Sequence, residues 1–341
     1  MIQYFSPTEF SVSTHKAISD LESGNYDDSE ETWSRVLKLN GMSRIAHVGY
    51  GKSLFRQQRY EEALNHFEIA GDRENYSQCI WEIRNNWINK NIIWIIVLMA
   101  VLLVLFVIRG FTKNKKVKYS GYSISDRPKE PIANLLVDLK FGKTMLQHPI
   151  DSLYYFKKGK RGSFLASGIL FVLGFLAYIL DFLLRGFIFQ RTALNGLSPI
   201  MVTLLFFIPV FLFIIGNYMM ATINEGEGSL KSIVVFTSYS LIPYILAMPL
   251  VVGLSYIFTL NEGFVIQIIW LLAVVWTAVL LFLGVMHIHN FSFKETVKNM
   301  LLTLVFMILA VVTAAILYMI WDKFVGFILE IFAEVRYRVE N

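Results

Sequence analysis

Cysteine and charge are what this chain has least of. Cys79 is the only cysteine in 341 residues, so no intrachain disulfide can form, and a single thiol fits either side of a membrane. Charged side chains make up 17% of the sequence against 55% apolar ones, with a mean hydropathy of +0.52. Soluble domains rarely show such a balance. Absent too is any grouping that carries chemistry: no nucleophile beside a base, no cluster with metal-ligand spacing, no glycine-rich phosphate loop. The sequence therefore offers no catalytic, cofactor-binding or metal-binding residue, and the expectation is a protein that is not an enzyme. His287 and His289 stand i,i+2, on opposite sides of a helix, with no cysteine or carboxylate cluster beside them to make a zinc site. Glu225 and Glu227 read as solvated turn residues.

Long apolar runs are abundant. Six stretches, 92–108, 164–184, 200–223, 233–258, 264–286 and 300–321, are each long enough to cross a bilayer. Hydrocarbon offers no partner to backbone N–H and C=O groups, so these runs must be helices. The expected fold is all-α: a polytopic membrane protein of six spans, with a small helical module ahead of them. Asp181 is the one charged side chain within the six runs. An ionisable residue at that depth is a functional suspect, but Arg185 follows four residues on, and a simple i,i+4 pair at a span end is the favoured account. Pro243 and Pro249 lie inside the fourth run, where each removes a backbone donor. A kink is expected there, either static or serving as a hinge or groove, with Ser238, Ser240 and Tyr244 available to freed carbonyls.

The amino-terminal residues repeat themselves. GNYDDSEETWSRVLKLN from Gly24 aligns with QRYEEALNHFEIAGDRE from Gln58, so that Tyr26 and Tyr60, Ser29 and Ala63, Trp33 and Phe67, and Val36 and Ala70 are each 34 apart. Small residues at this step let paired helices approach, and the aromatics fill the space between successive hairpins. The pattern resembles the tetratricopeptide repeat, a helix–turn–helix unit that binds protein surfaces. The alternative is a plain helical spacer. Tyr26, Trp33, Tyr60, Ala63 and Phe67 are the expected packing residues. The first repeat is expected to use 17–24 and the second 44–57 as first helices, with 76–87 as a closing helix.

After the first span comes the basic, proline-punctuated linker KNKKVKYSGYSISDRPKEP, then Ile132, Leu135, Leu136 and Leu139 at helical spacing, which read as an amphipathic surface helix over 132–146. HPIDSLYYFKKGKRGS (148–163) leads into the second span, and EGEGSLKSIVVFTSYSLIPYILAMPL joins the third and fourth. These two stretches resemble the bacterial branch of the Yip (Ypt-interacting protein) membrane-domain family over about 132–321, the last five spans. The resemblance implies a membrane fold that eukaryotes use in vesicle traffic. Some bacterial relatives are similar to accessory components of carbohydrate ABC importers, and a repeat region before the first span is similar to those. Ser-Leu-Lys at 229–231 and Ser-Phe-Lys at 292–294 each precede a span, 63 positions apart.

The expected domains are a repeat module (1–90), a first span (91–109), a basic cytoplasmic linker with an amphipathic helix (110–161), a five-span Yip-like domain (162–321) and an amphipathic tail (322–341). The function these readings favour is a membrane accessory or scaffold protein whose module grips a protein partner, such as an ABC permease or solute-binding protein. A stand-alone membrane-shaping or lipid-handling protein is the alternative, and a transporter or channel ranks last because few polar residues line the spans. Membrane lipids are implied partners; nucleic acid is not, because the positive charges flank spans.

Charge also sets the orientation. Residues 109–161 hold 13 Lys and Arg against 4 acids, and the loops sharing their side hold 16 basic residues against 5 on the other. The positive-inside rule places that loop in the cytoplasm of a bacterial plasma membrane and the repeat module outside. Residues 1–30 have no apolar core of the kind that exports a domain. The expectation is that the first span translocates the amino end, or that the natural product begins farther upstream. With Cys79 replaced by alanine, a single cysteine at position 28 should react with an impermeant maleimide on intact cells, and one at position 120 only after lysis. The reverse pattern would invert the topology.

Overall fold

A computed structural model describes residues 8–112, 131–158, 161–190 and 198–340 of the chain. Every regular element among them is helical, and six helices are long and apolar enough to cross a membrane. The basic segment 113–130 lies outside the described residues. The chain divides into two compact units. One comprises Met1–Asp126, Leu184–Thr192 and Leu250–Ile268; the other comprises Arg127–Leu183, Ala193–Pro249 and Ile269–Asn341.

In the first unit, α1 (Glu9–Glu22) pairs with α2 (Tyr26–Leu39), and α3 (Arg44–Arg56) with α4 (Tyr60–Ala70). Side-chain caps fix the starts of α1 and α3: Thr8 and Ser11 form a reciprocal capping box, and Ser43 accepts from Ala46 N–H. The first helix thus begins at Glu9, eight residues before the expected start, because the cap at Thr8 satisfies its free amides. Trp33 and Phe67 are buried, each against a glycine of α3. A Cβ on Gly49 would lie 2.2 Å from the Trp33 ring, and one on Gly51 2.8 Å from Phe67. The glycines are what let these helices close on the two rings. Ser29 Oγ, also buried, donates to the Ala17 carbonyl and meets Ser53 Oγ at 3.0 Å, tying three helices together.

The expected closing helix and first span are one element, α5 (Arg73–Thr112). No proline interrupts it, and at about 1.5 Å per residue it is roughly 60 Å long. None of its apolar window is buried within the protein, as befits a lipid-facing span.

The second unit begins with α6 (Pro131–Gln147) and α7 (Pro149–Lys157), followed by α8 (Phe164–Leu183), α9 (Pro199–Ile223), α10 (Leu230–Ser240), α11 (Ile242–Ser255), α12 (Gly263–His289) and α13 (Phe293–Glu340). α11 and α12 each run partly in the first unit. The core of the second unit gathers Met145, Leu153, Phe156, Phe236, Tyr239, Leu280 and Ile288. α6 does more than lie on a surface: Leu139 and Met145 enter this core and Gly142 abuts Ile242, while Ile132 and Leu136 stay exposed. The buried Asp138 explains the tight fit. Its Oδ1 accepts from Gly162 N–H, and its carbonyl accepts from Tyr239 Oη at 2.7 Å.

The fourth span breaks at Leu241, between α10 and α11. Proline disfavours helical geometry in the residue before it and cannot donate to the preceding turn, so Pro243 sits at the second position of a new helix. The serines do not serve the freed carbonyls as expected: Ser238 Oγ donates to Val235 O and Ser240 Oγ to Phe236 O. The tail 322–340 is the uninterrupted end of α13, not a separate element. Ser229 and Ser292 both cap span helices, which accounts for their similar surroundings.

Replacing Trp33 by Ala should cost the module about 3–5 kcal/mol by cavity formation, and Gly49→Ala about 1–3 kcal/mol by overpacking. Hydrogen exchange over α1–α4 in the detergent-solubilised full chain reads both. Unchanged protection in the two variants would refute the packing described.

Candidate functional site

Three polar constellations are built by this packing. The first joins α2, α3 and α4. Arg59 Nη1 donates to both Glu30 oxygens (2.8 and 3.0 Å), while its Nε and Nη2 donate to Glu62; Gln57 and Tyr50 donate to Glu30 as well. Burial raises the Glu30 carboxyl, but Gln57, Arg59 and Tyr50 outweigh it and hold it below the ordinary carboxylate range. Beside this network His47 Nε2 faces the Gly41 carbonyl at 3.0 Å, and its Nδ1 faces His66 Nδ1 at 3.0 Å. A carbonyl only accepts, so His47 carries its proton on Nε2 and His66 donates from Nδ1. His66 also stacks on Tyr50 at 4.3 Å.

The second constellation ties the start of α5 to two loops of the same unit, at 184–190 and 256–262. Arg84 forms a two-pronged ion pair with Glu262 (2.7 and 2.8 Å) and donates to the Ile257 carbonyl. Leu260 N–H donates to Ser77 Oγ at 2.9 Å, Arg73 donates to the Gln190 carbonyl, and Tyr76 packs on Phe187. Glu262 is itself oriented by Thr259, whose N–H and hydroxyl donate to it. The two loops are joined to each other: Gly186 N–H donates to Ser255 Oγ, and Tyr256 Oη to the Leu184 carbonyl.

The third lies in the second unit, at the turn between α9 and α10. Gly228 N–H donates to His289 Nδ1 at 3.2 Å, so the ring proton sits on Nε2 and is donated to Asn217 Oδ1 at 3.0 Å. Glu227 is exposed and pairs with Lys157 at 2.7 Å, and Lys157 holds its carboxyl below the ordinary value. Asn224 donates to Asn299 across α9 and α13. His289 thus anchors a turn, and no group of three or more His, Cys, Asp or Glu able to hold a metal occurs among the described residues.

The residues singled out by sequence fall as follows. Trp33, Ala63 and Phe67 are in the module's core; Tyr60 meets Phe55 edge-on at 5.2 Å, and Tyr26 offers its carbonyl to Gln57. Pro243 is half-buried and Pro249 exposed. Asp181 is half-buried near the end of α8, and Arg185 is buried two residues beyond that end. Sequence reasoning missed Arg84 with Glu262, which are 178 positions apart and carry no local signal. It also missed His289 as a turn anchor.

These features define a polytopic α-helical membrane protein. The Yip1 domain matches residues 143–316, slightly more than half the chain, from within α6 into α13. The chain belongs to the Yip1 domain family. No curated protein and no solved structure matches it.

Burial and the neighbouring His47 lower the pKa of His66 below its ordinary 6.5. The unfolded chain then binds a proton more readily than the folded one, so stability present above about pH 6.5 falls as pH drops through the depressed value. Thermal unfolding of the module should shift to lower temperature between about pH 7 and pH 5, and His66→Gln should flatten that shift. An equal shift in the variant would remove His66 as its cause.

Proposed function

We propose that this chain is a non-enzymatic accessory or scaffold subunit of the bacterial plasma membrane, working beside a carbohydrate ABC importer. Its amino-terminal residues form a tetratricopeptide-type module outside the cell that grips a protein partner, and the Yip1 domain packs beside a permease. Proposed boundaries follow the sequence: module 1–90, first span 91–109, cytoplasmic basic linker 110–161, five-span domain 162–321, tail 322–341.

The observation that carries this reading is the tie between the start of α5 and the loops at 184–190 and 256–262. Counting spans, the module precedes the first, and those loops follow the second and the fourth. All three emerge on one face, as six spans require, and the charge bias puts that face outside. Trp33 over Gly49 and Phe67 over Gly51 support the repeat assignment, because equivalent aromatics of each hairpin meet glycines of α3. A module so tied, with open polar clefts, suits protein recognition rather than catalysis.

One observation favours a second reading, membrane shaping or lipid handling: α6 exposes Ile132 and Leu136 next to Lys140 and Lys143 on one stripe. Tagged purification from native membranes in mild detergent separates the two. A stoichiometric permease or its ATPase is the expected co-purifying species. Elution alone, or with bound lipid only, would replace the accessory reading by the second.

A further inference from the structure

Within the second unit, α13 packs on α9 along one stripe and then outruns it. Asn299 and Thr303 are buried, Asn299 accepts from Asn224, and the Phe306 ring fills the space left by Gly216 of α9. These residues follow one another at steps of four and three. The end of α9 sits beside Asn299, and with 25 residues against 48 it cannot reach the last turns of α13. Beyond Ala310 the same stepping continues through Ala314, Leu317, Trp321, Phe324, Ile328 and Ile331, apolar at every position. Every residue from Val311 to Phe324 is exposed, and an open apolar hollow of about 520 Å³ lies over Leu317, Trp321 and Phe324. The charged residues of this stretch, Asp322, Lys323 and Glu330, all fall outside the stripe.

Lipid covers only the first part of it. From Met300 to Phe332 the apolar stretch is about 50 Å long against about 30 Å of hydrocarbon. Tilt alone would have to pass about 50°, above the roughly 0–40° of single spans. Asp322 and Lys323 mark where α13 leaves the bilayer. The helix runs on without a break, so it stands away from the membrane surface, and Phe324, Ile331 and Phe332 are exposed on it. An apolar stripe of this length in water requires a protein cover.

Alternating steps of four and three are the spacing of a helix–helix seam. The cover that fits is a helix long enough to cross the bilayer and continue past it with the same spacing. Among the described residues of this unit α13 is that helix; the others have 27 residues or fewer. Copies inserted in one membrane share one orientation, so two α13 helices meet in parallel, each seam residue facing its equivalent across a two-fold axis. Residue size along the seam changes as the two media require. Ala310 and Ala314 lie in lipid, where small residues let helices approach. Trp321 and Phe324 lie at the border, where removal of rings from water drives association. The four rings of two copies bury about 150–250 Å² each, and with Leu317, Ile328 and Ile331 the contact passes about 1,000 Å².

We propose that α13 is a dimer interface: its stripe from Ala314 to Ile331 pairs in parallel with the same stripe of a second copy of this chain. The pairing requires neither the amino-terminal module nor an importer.

The test uses the full chain in its native membrane with Cys79 replaced by alanine. Single cysteines replace Leu317, Phe324 or Ile331 on the seam, and Met319 or Leu329 outside it, and are oxidised with copper phenanthroline. A disulfide-linked dimer should form about tenfold faster at the seam positions, where equivalent Cβ atoms come within disulfide reach. In nanodiscs, fluorescently tagged chains should bleach in two steps, and Phe324→Glu/Ile331→Glu should reduce this to one while Leu329→Glu retains two. The melting transition should be unchanged, since these side chains are exposed in the single chain. Equal rates at seam and outer positions, no linkage at any, two-step bleaching of the double variant, or linkage of seam cysteines to a different polypeptide would each overturn the proposal.

Discussion

Backbone hydrogen bonding in a medium without water is the constraint from which the rest of this structure follows. Each apolar run must satisfy its own N–H and C=O groups, so it becomes a helix, and every irregular element is driven to the ends of the spans. The capped starts at Ser198 and Ser229 show how those ends are finished: a hydroxyl accepts from an amide that the helix itself leaves free. The fourth span is the exception, because Pro243 forces a break at Leu241. That break is tolerated where Tyr239, Ser238 and Ser240 are buried in protein rather than lipid.

Polar residues then concentrate at the span ends and decide how the turns are held. In the second unit, the turn between α9 and α10 is fixed by His289, Asn217 and the Lys157–Glu227 pair. A neutral histidine suits this task because it both accepts from Gly228 and donates to Asn217. In the first unit, an arginine fork performs the equivalent service: Arg84 reaches Glu262 and the Ile257 carbonyl together, a geometry a lysine could not match.

Membership in the Yip1 domain family describes the membrane block and stops short of the module and first span. A fold of this kind does not by itself specify a task. What distinguishes this chain is the addition of a helical module ahead of its first span. The long uninterrupted α5 links that module rigidly to the first span, since no proline or mid-helix break separates them.

Much of this was legible in residue order alone. The spans follow from hydropathy and the break from Pro243, and Trp33, Ala63 and Phe67, which stand in the 34-residue pattern, lie in the cores of the amino-terminal helices. The start of α1, the merging of the closing helix with the first span, and the docking of α6 through Asp138 were not legible. Caps and buried polar partners choose among boundaries that local propensity leaves equal. The pairing of Arg84 with Glu262 and the anchoring role of His289 belong to tertiary structure alone. Their partners are distant in the chain, and nothing in a linear charge pattern says which cation will be neutralised by folding and which will be left facing outward.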